Sequence, residues 1–143
     1  MRNKEELTPS MEDYLETILL LEQKNRVARV KDIAEKLSVQ MPSVTGALKT
    51  LKGKELVEYE KNSFINLTSK GLKLAKAILQ RHHILVDFFS EGLGLEGDSA
   101  EEQACRVEHA ISQETAVRFR NLTRWIETHN QGGPAPGTLA DGQ

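Results

Sequence analysis

Cys105, Glu108 and His109 stand at positions i, i+3 and i+4 of the segment Cys105-Arg106-Val107-Glu108-His109. On an α-helix that spacing places all three side chains on one face. A thiol, a carboxylate and an imidazole converging on one point make part of a divalent-metal site; the plainer alternative is a buried cysteine beside two ordinary surface residues. Three further groups carry the same chemistry: Asp13 and Glu16 at i and i+3, the pair His82-His83, and the pair Glu101-Glu102. Each alone is weak, because histidine and acidic pairs usually pack or lie on a solvated face. Together they gain weight, since one group precedes a basic central segment and the others follow it. An ion bound by all of them would couple the two parts of the chain. Carboxylates, imidazoles and one thiolate suit a borderline ion such as Fe2+, Mn2+, Co2+ or Zn2+.

Helices must position these groups. Thr8-Pro9-Ser10 followed by Met11, Leu15, Ile18 and Leu19 at helical spacing predicts a capped amphipathic helix ending near Gln23-Lys24-Asn25, with Asp13 and Glu16 on a neighbouring polar face. Val30–Leu37 and Met41–Lys52 read as two short helices joined by Ser38-Val39-Gln40, the helix-turn-helix pattern, with Pro42 in the first turn of the second helix. Ala34 allows a close crossing, and Val39, Val44, Leu48 and Leu51 are expected to fill a small core. Gln40 sits in the turn, and Pro42, Ser43, Thr45, Gly46 and Lys49 are left facing outward for base edges, with Lys49 and Lys52 reaching phosphates. Leu56–Glu60 and Phe64–Thr68 alternate like two strands around Lys61-Asn62-Ser63, so the second element is a hairpin and the whole a winged helix. Lys61 and Ser63 at the wing tip are the candidate contacts to an adjacent minor groove. Ser69-Lys70-Gly71 caps a long helix to about Phe89, Gly92–Asp98 is a loop, Ser99–Ile111 and a helix from Ser112 to about His129 follow, and the Pro/Gly-rich tail from Gln131 is irregular. The chain is thus expected to be mainly α: a winged helix-turn-helix over residues 1–75 and an α-helical dimerisation and metal-binding domain over 76–143.

The net charge of −2 hides a division. Lys24–Arg81 carries 13 Lys/Arg against 5 Asp/Glu, while the rest of the chain carries 6 against 16. A basic middle suits a polyanion and acidic ends suit cations. With 28% charged and 38% hydrophobic residues and no run long enough to span a bilayer, a cytoplasmic globular protein without membrane contact is expected. One cysteine forms no internal disulfide, which agrees with a reducing compartment. No pattern points to a substrate cleft, so neither an enzyme nor a small organic substrate is expected.

Met11-Glu12-Asp13-Tyr14-Leu15-Glu16, Asp32-Ile33-Ala34, Pro42-Ser43-Val44-Thr45, Arg81-His82 and Ala104-Cys105-Arg106-Val107-Glu108-His109-Ala110-Ile111-Ser112 resemble, in order and interval, the diphtheria toxin repressor and manganese transport regulator family. The resemblance covers nearly the whole chain. It implies a homodimeric, metal-activated repressor that binds a palindromic double-stranded DNA operator, in the two-domain form without an SH3-like third domain. It also implies one metal position at Asp13, Cys105, Glu108 and His109, and a second at or near Glu16 and His82. Asp13 and Glu16 are similar to the manganese-sensing branch and Cys105 to the iron-responsive branch; Glu101 stands where the iron branch uses a histidine, and Val86 where many relatives have a carboxylate. Hard carboxylates favour Mn2+ or Fe2+ and the thiolate favours Fe2+ or Zn2+, which orders the expectation as Fe2+, then Mn2+, with Zn2+ or Co2+ binding in vitro. The alternative reading is a winged-helix regulator sensing oxidants through Cys105, which a carboxylate at Glu108 disfavours by raising the thiol pKa.

Overall fold

Thr8 starts the first helix. Its side-chain oxygen accepts a hydrogen bond from the Met11 N–H at 3.2 Å, and Pro9 occupies the first turn, where no intrahelical donor is needed. The computed structural model describes residues 7–60 and 63–140. The chain is mainly helical, and it divides into two units, Met1–Ile78 and Leu79–Gln143. The division falls inside one helix, as does the boundary expected at 75/76. Among the described residues no helix is long and apolar enough to cross a membrane.

In the first unit α1 (Pro9–Asn25), α2 (Val30–Leu37) and α3 (Met41–Gly53) pack on one another. Leu15, Ile18, Ile33, Val44, Leu48 and Leu51 are all fully buried, and Ala34 is nearly so, which fits the close crossing of α2 and α3. Ser38 takes the left-handed conformation at φ 54° to end α2, and the Val39 N–H returns to the Ala34 carbonyl at 3.0 Å. That turn carries Val39 outward. It is 37% exposed, so the expectation that it fills the core is corrected: the tight connection, not hydropathy, sets its direction.

The wing is shorter than its sequence pattern suggests. Strand β1 (Val57–Glu58) pairs antiparallel with β2 (Asn66–Leu67), Val57 opposite Leu67 and Glu58 opposite Asn66. The ladder stops there because its donors go elsewhere. The Leu56 N–H bonds the Leu51 carbonyl at 3.0 Å, and the Leu67 N–H bonds Glu22 Oε1 of α1 at 3.1 Å. Just before β2, Ala28 of the linker between α1 and α2 forms an isolated antiparallel bridge with Ile65, whose N–H donates to the Ala28 carbonyl at 2.9 Å. Lys61 and the adjoining Asn62 lie outside the described residues; Ser63 is exposed.

Helix α4 (Ser69–Asp87) begins in the first unit and ends in the second. Its cap is Thr68, one residue before the predicted Ser69: the Thr68 oxygen accepts from the Gly71 N–H at 3.0 Å and donates to the Glu55 carbonyl at 2.7 Å. A Cβ on Gly71 would lie 1.9 Å from the Leu56 carbonyl oxygen, so only glycine allows α4 to start this close to β1. In the second unit α4 runs into a π-helical turn at Phe88–Gly92, followed by α5 (Gly97–Val107) and α6 (Gln113–His129). Both α5 and α6 pack on that turn, and the Phe88 and Phe119 rings lie 4.5 Å apart. Helix α5 ends four residues before the predicted Ile111, because the Ala110 N–H turns back to the Val107 carbonyl at 2.9 Å and Ser112, extended, caps α6 by accepting from the Thr115 N–H at 3.1 Å. The tail is irregular as expected, yet it is anchored: the Gly137 N–H donates to the Gly92 carbonyl at 2.7 Å.

Glu91, in the π-helical turn, has its carboxyl pKa raised to about 7 by a hydrogen bond with Glu127, by burial, and by the charges of Glu127 and Asp87. The fold therefore binds a proton that the unfolded chain releases at about 4.5, and this stabilisation is present at low pH and lost as pH rises toward 7. Glu91→Gln should raise the melting temperature of the metal-free protein at pH 8 and leave it nearly unchanged at pH 5, read by calorimetry. Gly71→Ala should destabilise the fold by about 2 kcal/mol, the usual cost of forcing an atom into a packed contact, measured by urea denaturation.

Candidate metal centre and nucleic-acid interface

Glu101, Cys105 and Glu108 succeed one another at i, i+4 and i+7 along α5 and its last turn, a spacing that aligns them on one face. Glu108 lies just past the end of α5, but its backbone remains right-handed helical and its N–H bonds the Ala104 carbonyl at 2.9 Å, so the face continues through it. His82, on α4, meets that face. Its Nδ1 lies 2.7 Å from Glu108 Oε2 and 3.9 Å from Cys105 Sγ, and its Nε2 lies 2.7 Å from Glu101 Oε2. Each ring nitrogen thus faces a carboxylate oxygen at hydrogen-bond distance. His109 closes the cluster, its Nε2 donating to Glu108 Oε1 at 3.1 Å.

Glu108 is 1% exposed and His82 7% exposed, whereas Cys105 and Glu101 reach solvent. A buried carboxylate is costly unless positive charge and hydrogen bonds compensate it. Burial alone would raise the Glu108 pKa; the hydrogen bonds from His109 and His82 and their charges outweigh it and hold the carboxyl at about 2. The cluster is thus organised around an anion that demands a cation. Ligand atoms of His82, Cys105 and Glu108 lie within 4.8 Å of one another, a span that suits one first-row ion bound at roughly 2.0–2.3 Å from each. The residues present therefore fit a divalent metal.

Five of the seven predicted ligands, His82, Glu101, Cys105, Glu108 and His109, come together in the second unit. Asp13 and Glu16 belong to the first unit, half-buried on α1. Two members of the candidate pairs face elsewhere: His83 is exposed and edge-on to His82 at 5.9 Å, and Glu102 is exposed beside the site rather than in it.

The predicted DNA face is set out along α3. Gln40 caps the helix N-terminus, and Pro42, Ser43, Thr45, Gly46, Lys49 and Lys52 are all exposed. Pro42, Thr45, Gly46 and Lys49 line a cleft of about 840 Å³ that extends to Tyr59 of the wing. Lys52 spans it, donating to the Tyr59 carbonyl at 2.9 Å. A Cβ on Gly46 would meet nothing within 4 Å, so the helix surface is bare there and open to close approach by a backbone or base edge. Three residues on this side were not anticipated: Arg29, Met41 and Phe64. Met41 is 50% and Phe64 45% exposed, and an apolar side chain inside a helix or strand pattern gives no sequence signal that it will point outward.

Residues 6–64 match the family model for the iron-dependent repressor N-terminal DNA-binding domain, and residues 68–137 match the one for the iron-dependent repressor metal-binding and dimerisation domain. The chain is 38% identical over 115 residues to an uncharacterised helix-turn-helix transcriptional regulator of Methanocaldococcus jannaschii, covering 80% of this chain and 92% of that one. It is also 38% identical over 120 residues to the transcriptional regulator MntR of Bacillus subtilis, covering 84% of each. Among solved structures, the manganese regulator SloR superposes with a TM-score of 0.72 at 32% identity, over 83% of this chain and 55% of the SloR chain. The ordered pair of domain matches, set on a winged helix and a cluster built around a buried carboxylate, shows that the chain belongs to the iron-dependent repressor family and is a metal-activated, DNA-binding transcriptional repressor.

Proposed function

We propose that Fe2+ or Mn2+ is the activating ion and that His82, Cys105, Glu108 and His109 hold it in the second unit, with Glu101 beside them. The observation that carries this reading is the convergence of the His82, Cys105 and Glu108 ligand atoms around a carboxylate that is buried yet ionised. On the sequence resemblance, Asp13 and Glu16 of α1 are further candidate ligands. Carboxylates favour Mn2+ and Fe2+, and the Cys105 thiolate pulls the preference toward Fe2+ and Zn2+.

A bound divalent ion supplies one compact charge in place of ring protons and fixes the directions of its ligands. Everything else is done by the chain. Glu108 provides the permanent negative charge; His82 and His109 compensate it here and would each offer a ring nitrogen to a bound ion. Cys105 contributes from the exposed side, where the thiol can lose its proton to solvent. An ion that binds one state of the protein more tightly than another would couple metal binding to DNA binding. Differential affinity of this kind couples two sites by about 1–3 kcal/mol. Two copies joined through the dimerisation domain then present two copies of α3 to the half-sites of a palindromic operator. The genes controlled are, on the same resemblance, those for metal uptake.

Glu108→Gln should lower Mn2+ and Fe2+ affinity by at least about 100-fold, the upper end of what loss of even a supporting partner costs. Calorimetric titration of the reduced, anaerobic protein reads this, with melting temperature as the check on folding. Cys105→Asp should shift preference toward Mn2+ and away from Zn2+, compared by competition between the two ions. DNA affinity that is equal with and without Mn2+ and Fe2+ would refute the activating role.

A further inference from the structure

Antiparallel pairing of Ala28 with Ile65 places the next residues, Arg29 and Phe64, directly opposite each other on the outer face of the wing. The alternation is clear in the burial: Ala28 and Ile65 are fully buried, whereas Arg29 and Phe64 are exposed. The Arg29 guanidinium carbon lies 5.1 Å above the centre of the Phe64 ring, within cation–π range. Arg29 and Phe64 share a cleft of about 610 Å³ with Met41 and Thr45 of α3 and with Tyr59 and Ser63 of the wing. Arg29 forms no ion pair among the described residues. A guanidinium placed over an aromatic ring keeps N–H donors of its planar fork available, and that fork matches two oxygens of one phosphate.

We propose that Arg29 is a DNA-binding residue that contacts a backbone phosphate of the duplex beside the segment read by α3, and that Phe64 is the positioning residue that holds its guanidinium in place. The pairing depends on the Ala28–Ile65 bridge, which brings residue 29 onto the same face as residue 64. The proposal rests on the DNA-binding reading of the first unit and adds to it a contact from outside the recognition helix. It also gives the exposed Phe64 a role: the ring restricts the arginine before DNA arrives, so less conformational freedom is lost on binding.

The test measures affinity against salt concentration for Mn2+-loaded protein on two duplexes of equal length, one selected from a random library by that protein and one of mixed sequence. Arg29→Gln should reduce the slope of log affinity against log salt by about 0.9 per bound protomer, and the affinity at about 0.1 M salt by about eightfold per protomer, on both duplexes alike. Phe64→Leu should produce part of that loss, Phe64→Tyr should restore it, and Phe64→Leu should add nothing in the Arg29→Gln background. Melting temperature and Mn2+ affinity are read for every variant, so that a folding defect is not mistaken for a lost contact. An unchanged slope and affinity in Arg29→Gln would overturn the proposal, as would a loss confined to the selected duplex, which would mean a contact to bases. A wild-type protein that selects no duplex from the library and does not bind the one of mixed sequence would overturn the DNA-binding reading and the proposal together.

Discussion

A carboxylate with 1% of its surface in water has to be neutralised where it stands, and Glu108 imposes that condition on everything near it. Two imidazoles meet it, His82 from α4 and His109 from the turn after α5. The second carboxylate on His82, Glu101, is exposed and holds the far side of the ring. The arrangement is compact because α5 carries alanine at 100 and 104, both fully buried, which allows the helix to approach its neighbours closely. Cation binding and folding are therefore the same electrostatic problem here: the ring protons and a divalent ion are alternative positive charges for one buried anion.

In the first unit the governing constraint is the supply of backbone donors. The wing is too short to satisfy itself, and it borrows from its surroundings: Glu22 of α1 accepts from Leu67, Ala28 accepts from Ile65, and Thr68 and Leu56 tie the start of α4 to β1. A two-residue ladder would be marginal alone. Bound on both sides, it becomes a rigid edge beside α3, which lets residues of the linker, the recognition helix and the wing act as one surface.

The three N-terminal helices were legible because their boundaries are local chemistry. Thr8 and Pro9 open α1, Pro42 opens α3, and Leu15, Ile18, Ile33, Val44, Leu48 and Leu51 form the apolar stripes that became the core. The cluster proposed to hold the metal was legible in part for the same reason, since Cys105, Glu108 and His109 are close in sequence. The end of α5 at Val107 was not, because that stop depends on a turn and on the fresh cap at Ser112 competing with helix continuation. The bridge beside the wing was not either: Ala28 lies 37 residues before Ile65, and Val27-Ala28-Arg29 has no strand pattern of its own. Val39 misled because hydropathy says that a side chain would gain from burial, not that a left-handed turn at Ser38 will permit it.

By itself the sequence determined where the N-terminal helices form, which residue types could hold a metal, and which helix carries an exposed polar and glycine face. Periodicity and capping act over a few residues, so one dimension suffices to read them. Tertiary structure alone decided that His82 faces two carboxylates at once, that Glu108 is the buried one and Glu101 the exposed one, and that Arg29 lies over Phe64. Each of these joins residues 19 to 35 positions apart. Such pairs are set by how helices and strands pack, and packing depends on the shape of every surface involved rather than on any one segment's pattern.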